Sequence, residues 1–132
     1  MGEKIAEETN KTTGQRVLSV DGSTIVETSA KGIGTMLGVQ YQSLVTYTGK
    51  MLENGTIAGN GIGLMMGKGG EHATFTAKGV GKFDQKGGIS WRGMFHIQST
   101  HAKWSRLTSV ATVFEYEVDP EGNGKGILTE VK

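Results

Sequence analysis

Ala73-Thr74-Phe75-Thr76-Ala77-Lys78-Gly79-Val80-Gly81-Lys82-Phe83 alternates strictly between small or apolar residues at odd positions and polar or β-branched ones at even positions. Alternation with period two puts Ala73, Phe75, Ala77, Gly79, Gly81 and Phe83 on one face of a β-strand, whereas a helix would scatter them around its circumference. The pattern recurs downstream. In Ser90 to Gln98, Trp91, Gly93, Phe95 and Ile97 share a face opposite Arg92, Met94, His96 and Gln98. In Thr112 to Val118, Phe114, Tyr116 and Val118 oppose Val113, Glu115 and Glu117.

Between such runs lie turn signals. Asp21-Gly22 and Asn54-Gly55 suit two-residue hairpins, whose favoured type needs positive φ at both central residues. Gly69-Gly70, Gln85-Lys86-Gly87-Gly88 and Pro120-Glu121-Gly122-Asn123-Gly124 read as further reversals. Segments of about 8 to 14 residues between reversals describe an antiparallel meander of long strands. Glycine also sits inside the strands: Gly59, Gly61 and Gly63 alternate on one face, and Gly79 and Gly81 repeat the device. Such residues pack nothing and cost backbone entropy, so their repetition points to bending, coiling or the close approach of another layer. A sheet rolled into a small barrel asks for this, and closure removes exposed edges. The expected fold is therefore all-β, an antiparallel up-and-down barrel, with a two-sheet β-sandwich as the alternative.

The 132 residues allow one domain. Met1 to Thr13 is polar and without turn punctuation, so it reads as a flexible N-terminal arm, leaving 14–132 as a single barrel domain. Fourteen basic against thirteen acidic residues give a net charge of +1, which supplies no field for nucleic acid or acidic membrane. No apolar run is long enough for a membrane span and the first residues lack a secretory core, which points to the cytoplasm. Without cysteine there are no disulfides, thiol nucleophiles or thiolate metal sites.

Chemistry is sparsely signposted. Gly59-Asn60-Gly61-Ile62-Gly63 lacks dinucleotide-loop spacing, and Gly67-Lys68-Gly69-Gly70 lacks the upstream glycine and the hydroxyl residue of a phosphate loop. His72, His96 and His101 do not form a ligand set by spacing, so no metal and no cofactor is expected. Trp91, Phe95 and Trp104 near Lys103 and Arg106 are too little basic for a nucleic-acid platform. A carboxylate inside a barrel would have a raised pKa suited to acid-base work. Glu115 and Tyr116 are the candidates for that role; if Phe114, Tyr116 and Val118 fill the core, Glu115 and Glu117 are simply solvated. Met36, Met51, Met65, Met66 and Met94, with Trp91 and Trp104, suit either an adaptable apolar cavity or ordinary core and interface positions.

The stretches Gly59 to Gly63, Ala73 to Phe83, Gly88-Ile89-Ser90-Trp91-Arg92-Gly93 and Leu107 to Asp119, with Gly14 to Leu18 and Gly34 to Val39, resemble an uncharacterised bacterial and archaeal family related to the allene oxide cyclase-like and dirigent-like barrels. The resemblance implies about eight strands, a cavity for a small apolar molecule and assembly into dimers or trimers; no catalytic motif of those enzymes maps onto this chain. Three functions follow as expectations. The first is binding of a small apolar ligand by Phe75, Phe83, Trp91, Phe95, Phe114 and Tyr116. The second is a cofactor-independent isomerase or cyclase, and the third a non-enzymatic oligomeric scaffold.

Overall fold

The computed structural model describes residues 2–132. Eight strands run in chain order around a closed barrel: β1 Lys4–Ser19, β2 Ile25–Met36, β3 Val39–Met51, β4 Thr56–Gly67, β5 His72–Phe83, β6 Ile89–Gln98, β7 Thr112–Val118 and β8 Asn123–Glu130. Every neighbouring pair is antiparallel, and β8 closes on β1 through pairs such as Ala6 with Leu128 and Glu8 with Gly126. Closure excludes the sandwich.

The arm expected over residues 1–13 is instead most of β1, paired to β2 on one side and to β8 on the other. Met1 of that arm lies outside the described residues. The reason for the difference is chemical. β1 does alternate, with Ala6, Glu8 and Asn10 on the less exposed face and Glu7, Thr9 and Lys11 on the more exposed one, but two of its inner residues are polar, so no hydrophobic period marks it.

The connections also depart from expectation in detail. All five expected reversals occur, yet the Asp21-Gly22 and Asn54-Gly55 links are longer than two residues, and only the glycines adopt positive φ, 77° and 85°. The two-residue hairpin with both central residues left-handed is Leu37-Gly38, φ 48° and 79°, between β2 and β3. A leucine there is strained, and it conceals the turn from a reading based on Asn, Asp and Gly.

One end of the barrel, where β1, β3, β5 and β7 begin, is stoppered by the β6–β7 connection. It contains a 3-10 helix, Ser105–Ser109, and buries Trp104 and Leu107 completely. Trp104 donates its indole N–H to the Met36 carbonyl at 3.0 Å and meets Tyr41 edge to face, with ring centres 6.3 Å apart. Two ion pairs tie the stopper to the barrel: Lys103 Nζ to the buried Glu71 carboxylate and Arg106 to Glu130, each at 3.2 Å. Trp104 is thus a core residue and not a stacking platform; burying such a side chain contributes on the order of 3 kcal/mol.

The strand glycines do what a narrow barrel requires. A Cβ on Gly59 or Gly81 would lie 2.5 or 2.8 Å from the Trp91 ring, and one on Gly79 would lie 2.8 Å from Phe114. On Gly93 it would run into the Lys78 carbonyl and approach the Gly79 Cα to 2.5 Å, which are backbone atoms that cannot turn aside. Gly14 has nothing within 4 Å of that position. Gly93→Ala is therefore expected to lower stability in urea denaturation by about 1–3 kcal/mol, as overpacking does, while Gly14→Ala leaves the midpoint nearly unchanged. Equal effects would mean that the close strand approach is not what selects glycine.

Candidate functional site

Inside the barrel, between the stopper and Trp91, the chain leaves a cavity of about 110 Å³. Its apolar wall comes from alternate residues of β3 to β8: Val45, Met65, Phe75, Ala77, Trp91, Phe95, Phe114 and Leu128. Phe75 and Phe95 stack with centres 4.2 Å apart, and Phe114 meets Phe95 edge to face at 6.2 Å. Small residues keep the space open, because Gly61 lies opposite Ala77 in register and Ala77 opposite Phe95.

The remaining wall is polar and belongs to β1, with three tyrosines reaching toward it. Tyr41 donates its hydroxyl to Glu8 Oε1 at 2.9 Å, Asn10 Nδ2 donates to Glu8 Oε2 at 2.8 Å, and Tyr116 donates to Asn10 Oδ1 at 2.7 Å. Tyr47 extends this line, edge to face with Tyr116 at 6.3 Å and with Trp91 at 5.9 Å. The chain Tyr41, Glu8, Asn10, Tyr116 thus spends both carboxylate oxygens and the Asn10 carbonyl on internal donors. Buried polar groups satisfied in this way fix one another's orientation. The exception is Trp91. Its residue is 5% exposed, the benzene edge of its indole rests over Gly59 and Gly81, and its buried N–H has no hydrogen-bond partner among the described residues.

Of the six residues expected to bind a ligand, Phe75, Trp91, Phe95, Phe114 and Tyr116 line the cavity. Phe83 does not. It ends β5 beside the turn and is 51% exposed, because it lies one residue beyond the last β4 partner of the strand and only Ile89 of β6 pairs with it. Glu115, expected as a buried acid-base group, alternates outward with Glu117, and both flank Arg92 at 3.4 and 2.8 Å. Its side chain is 60% exposed, so low dielectric does not act on it. Tyr116 does point inward. Burial, with Tyr47 adding to it, raises its pKa well above the usual 10.0, which keeps the hydroxyl neutral, and it donates to Asn10 Oδ1.

Met36 and Met65 belong to the stopper-side core, whereas Met51, Met66 and Met94 face outward. His72 and His101 meet edge to face, 6.2 Å between centres, at the stoppered end, but no group of three metal-binding side chains exists among the described residues. Sequence reasoning misses the interior carboxylate, Glu8. Its only signal there is a weak alternation in a polar segment.

No protein-family model and no curated protein sequence matches the chain. Solved structures do. A protein of unknown function from Clostridium acetobutylicum superposes with a TM-score of 0.86 at 9% identity, over 100% of this chain and 99% of that one. A conserved protein of unknown function from Rhodopseudomonas palustris gives 0.83 at 11% identity, over 99% and 97%. At such identities the likeness is one of fold.

The tyrosines make the interior testable. These three are all the tyrosines in the chain, and burial raises the pKa of each, with the Glu8 carboxylate adding to the effect at Tyr41. A raised folded-state pKa means a contribution to stability that is whole below pH 10 and is lost above it, as the unfolded chain ionises and the folded one does not. Absorbance at 295 nm should therefore stay flat through pH 10, then rise for all three tyrosines together with loss of the near-ultraviolet dichroism. Independent titration of one tyrosine near pH 10 in the folded protein would contradict the closed interior.

Proposed function

We propose that this protein binds a small, mainly apolar molecule inside its barrel. The observation that carries the reading is the unfilled cavity of about 110 Å³, walled by Phe75, Phe95, Phe114 and Trp91 and bounded on one side by an ordered polar line. Ligand sites are concave and apolar, with few polar groups that set orientation. Size restricts the class: an engineered cavity of about 150 Å³ accommodates benzene, so the ligand is on the scale of a single ring. Relationship to the allene oxide cyclase-like and dirigent-like barrels is part of the proposal, supported by the strand number and order. Their reactions are not.

Titration with single-ring compounds, followed by amide and methyl chemical shifts, should show saturable changes confined to cavity residues. Ala77→Leu fills the space from its middle and should weaken binding at least about tenfold while thermal unfolding stays cooperative. Val45→Leu offers a milder filling from the other side. No saturable shift with any compound of this size would overturn the reading.

A second observation concerns the outside. Ile33, Leu44, Ile62, Leu64 and Met66 are exposed on the outer face of β2 to β4, and Leu44 is the register partner of Leu64. A contiguous apolar patch on a sheet face marks an association surface, and we infer that a second copy of the chain covers it. Sedimentation should show a dimer or trimer that Leu64→Glu dissociates; a monomer at all concentrations would remove this inference.

A further inference from the structure

We infer that the ligand of the barrel is a small organic ammonium ion, a protonated amine on a single-ring apolar frame, held by the Glu8 carboxylate on the inner face of β1. This rests on the binding reading above and deepens it. Glu8 lines the cavity, and its register neighbours on the two adjoining strands are glycines, Gly34 and Gly126. A Cβ on Gly34 would meet the Tyr41 hydroxyl, and one on Gly126 would lie 3.4 Å from the Tyr116 ring. The half-buried carboxylate thus stands on the cavity wall with an aromatic side chain on either hand.

What its surroundings withhold is a positive charge. The carboxylates that the fold buries elsewhere, Glu71 and Glu130, are each met by a cation, Lys103 and Arg106, at 3.2 Å. Glu8 takes hydrogen bonds from the neutral Tyr41 hydroxyl and Asn10 amide and, among the described residues, has no ion pair. Lys78 is the one basic residue along the cavity wall among the described residues, and it pairs in register with Met94 on the exposed outer face. A charge turned toward an apolar cavity without a counter-charge is costly, and a bound cation supplies the missing partner. Tyr41 and Asn10 each engage one Glu8 oxygen, which leaves about half of the four or so acceptor positions of a carboxylate for an ammonium group. The rest of the wall suits the same ion, because aromatic faces attract cations and Phe75, Phe95, Phe114 and Trp91 surround the space. An anion would meet Glu8 with like charge. A metal ion would want several such ligands, and no group of three metal-binding side chains exists among the described residues.

The test uses pairs of equal shape in which an ammonium group replaces a methyl: benzylamine against ethylbenzene, and cyclopentylamine against methylcyclopentane, at neutral pH, with benzoate as the anionic control. Binding to the full chain is measured by titration while the side-chain carboxyl carbon resonances of Glu8, Glu71 and Glu130 are followed. The inference expects the ammonium member of the better-fitting pair to bind at least about tenfold tighter than its hydrocarbon, and benzoate to bind more weakly than either. The Glu8 carbon should shift, while those of Glu71 and Glu130, already matched to cations, stay in place. Glu8→Gln keeps the shape and the acceptor for Tyr41 but removes the charge, and should bring ammonium and hydrocarbon to equal affinity. If that variant loses cooperative unfolding, the Glu8 resonance of the unaltered chain decides. A hydrocarbon that binds as tightly as its ammonium counterpart, or an ammonium that binds without moving the Glu8 carbon, overturns the inference while the binding reading stands. If none of the five compounds binds, the binding reading fails and this inference fails with it.

Discussion

The structure depends on fitting aromatic rings inside a ring of eight strands. The strand number sets the interior width of such a barrel within narrow limits, and eight strands leave room for side chains from only some of the inward positions. This chain fills that room with Trp91, Tyr47, Tyr116, Phe75, Phe95 and Phe114. It then removes the side chains across from them, at Gly49, Gly59 and Gly81 for the indole and at Gly79 for Phe114. Each glycine loses backbone entropy on folding, roughly 0.5–1 kcal/mol relative to alanine. The aromatic burial it permits is worth more, so the exchange stabilises a closed barrel and would be a net loss in a flat sheet.

The same constraint places the polar groups. With the aromatic residues concentrated on β3 and β5 to β7, β1 supplies the wall they face, and its inward positions Ala6, Glu8 and Asn10 are short or polar. A carboxylate in such a place is tolerable only when its oxygens are engaged. Tyr41 and Asn10 engage them, and Tyr116 in turn completes Asn10. Because Glu8 pairs in register with Gly34 on one side and Gly126 on the other, nothing beside it on the neighbouring strands crowds the Tyr41 or Tyr116 rings that lean in. The polar line is thus a product of strand register as much as of residue type.

How far the sequence discloses this follows from where hydrophobic alternation is present. β5, β6 and β7 alternate cleanly, so their inner faces, and with them five of the six expected ligand-binding residues, are legible in the residue pattern itself. Phe83 obeys the alternation and still falls outside the cavity, since period two gives the face of a residue and not whether the barrel continues to its level. Glu115 is attractive for its chemistry, although its own strand pattern puts it opposite Phe114 and Tyr116. β1 stays hidden because its inward residues are polar, and Glu8 with it. The stopper is illegible for a different reason. Trp104 and Leu107 lie in a connection without period, and for Trp104 it is contact with Met36 and Tyr41, far away in the chain, that makes it core.

The empty space in the barrel is itself a stability cost. At about 24 cal/mol per Å³, the cost measured for cavities in another protein's core, a void of 110 Å³ corresponds to roughly 2–3 kcal/mol. That is a substantial fraction of the 5–15 kcal/mol typical of a folded domain. Closing the void needs no new architecture, since Ala77 sits at its middle, across from Gly61, and a larger apolar residue there would occupy it. Elsewhere the chain packs closely: Met36, Ile97, Trp104 and Leu107 are wholly inaccessible. A fold that fills its stoppered end so completely leaves this volume open, and a bound molecule of single-ring size would recover the contacts that the void forgoes.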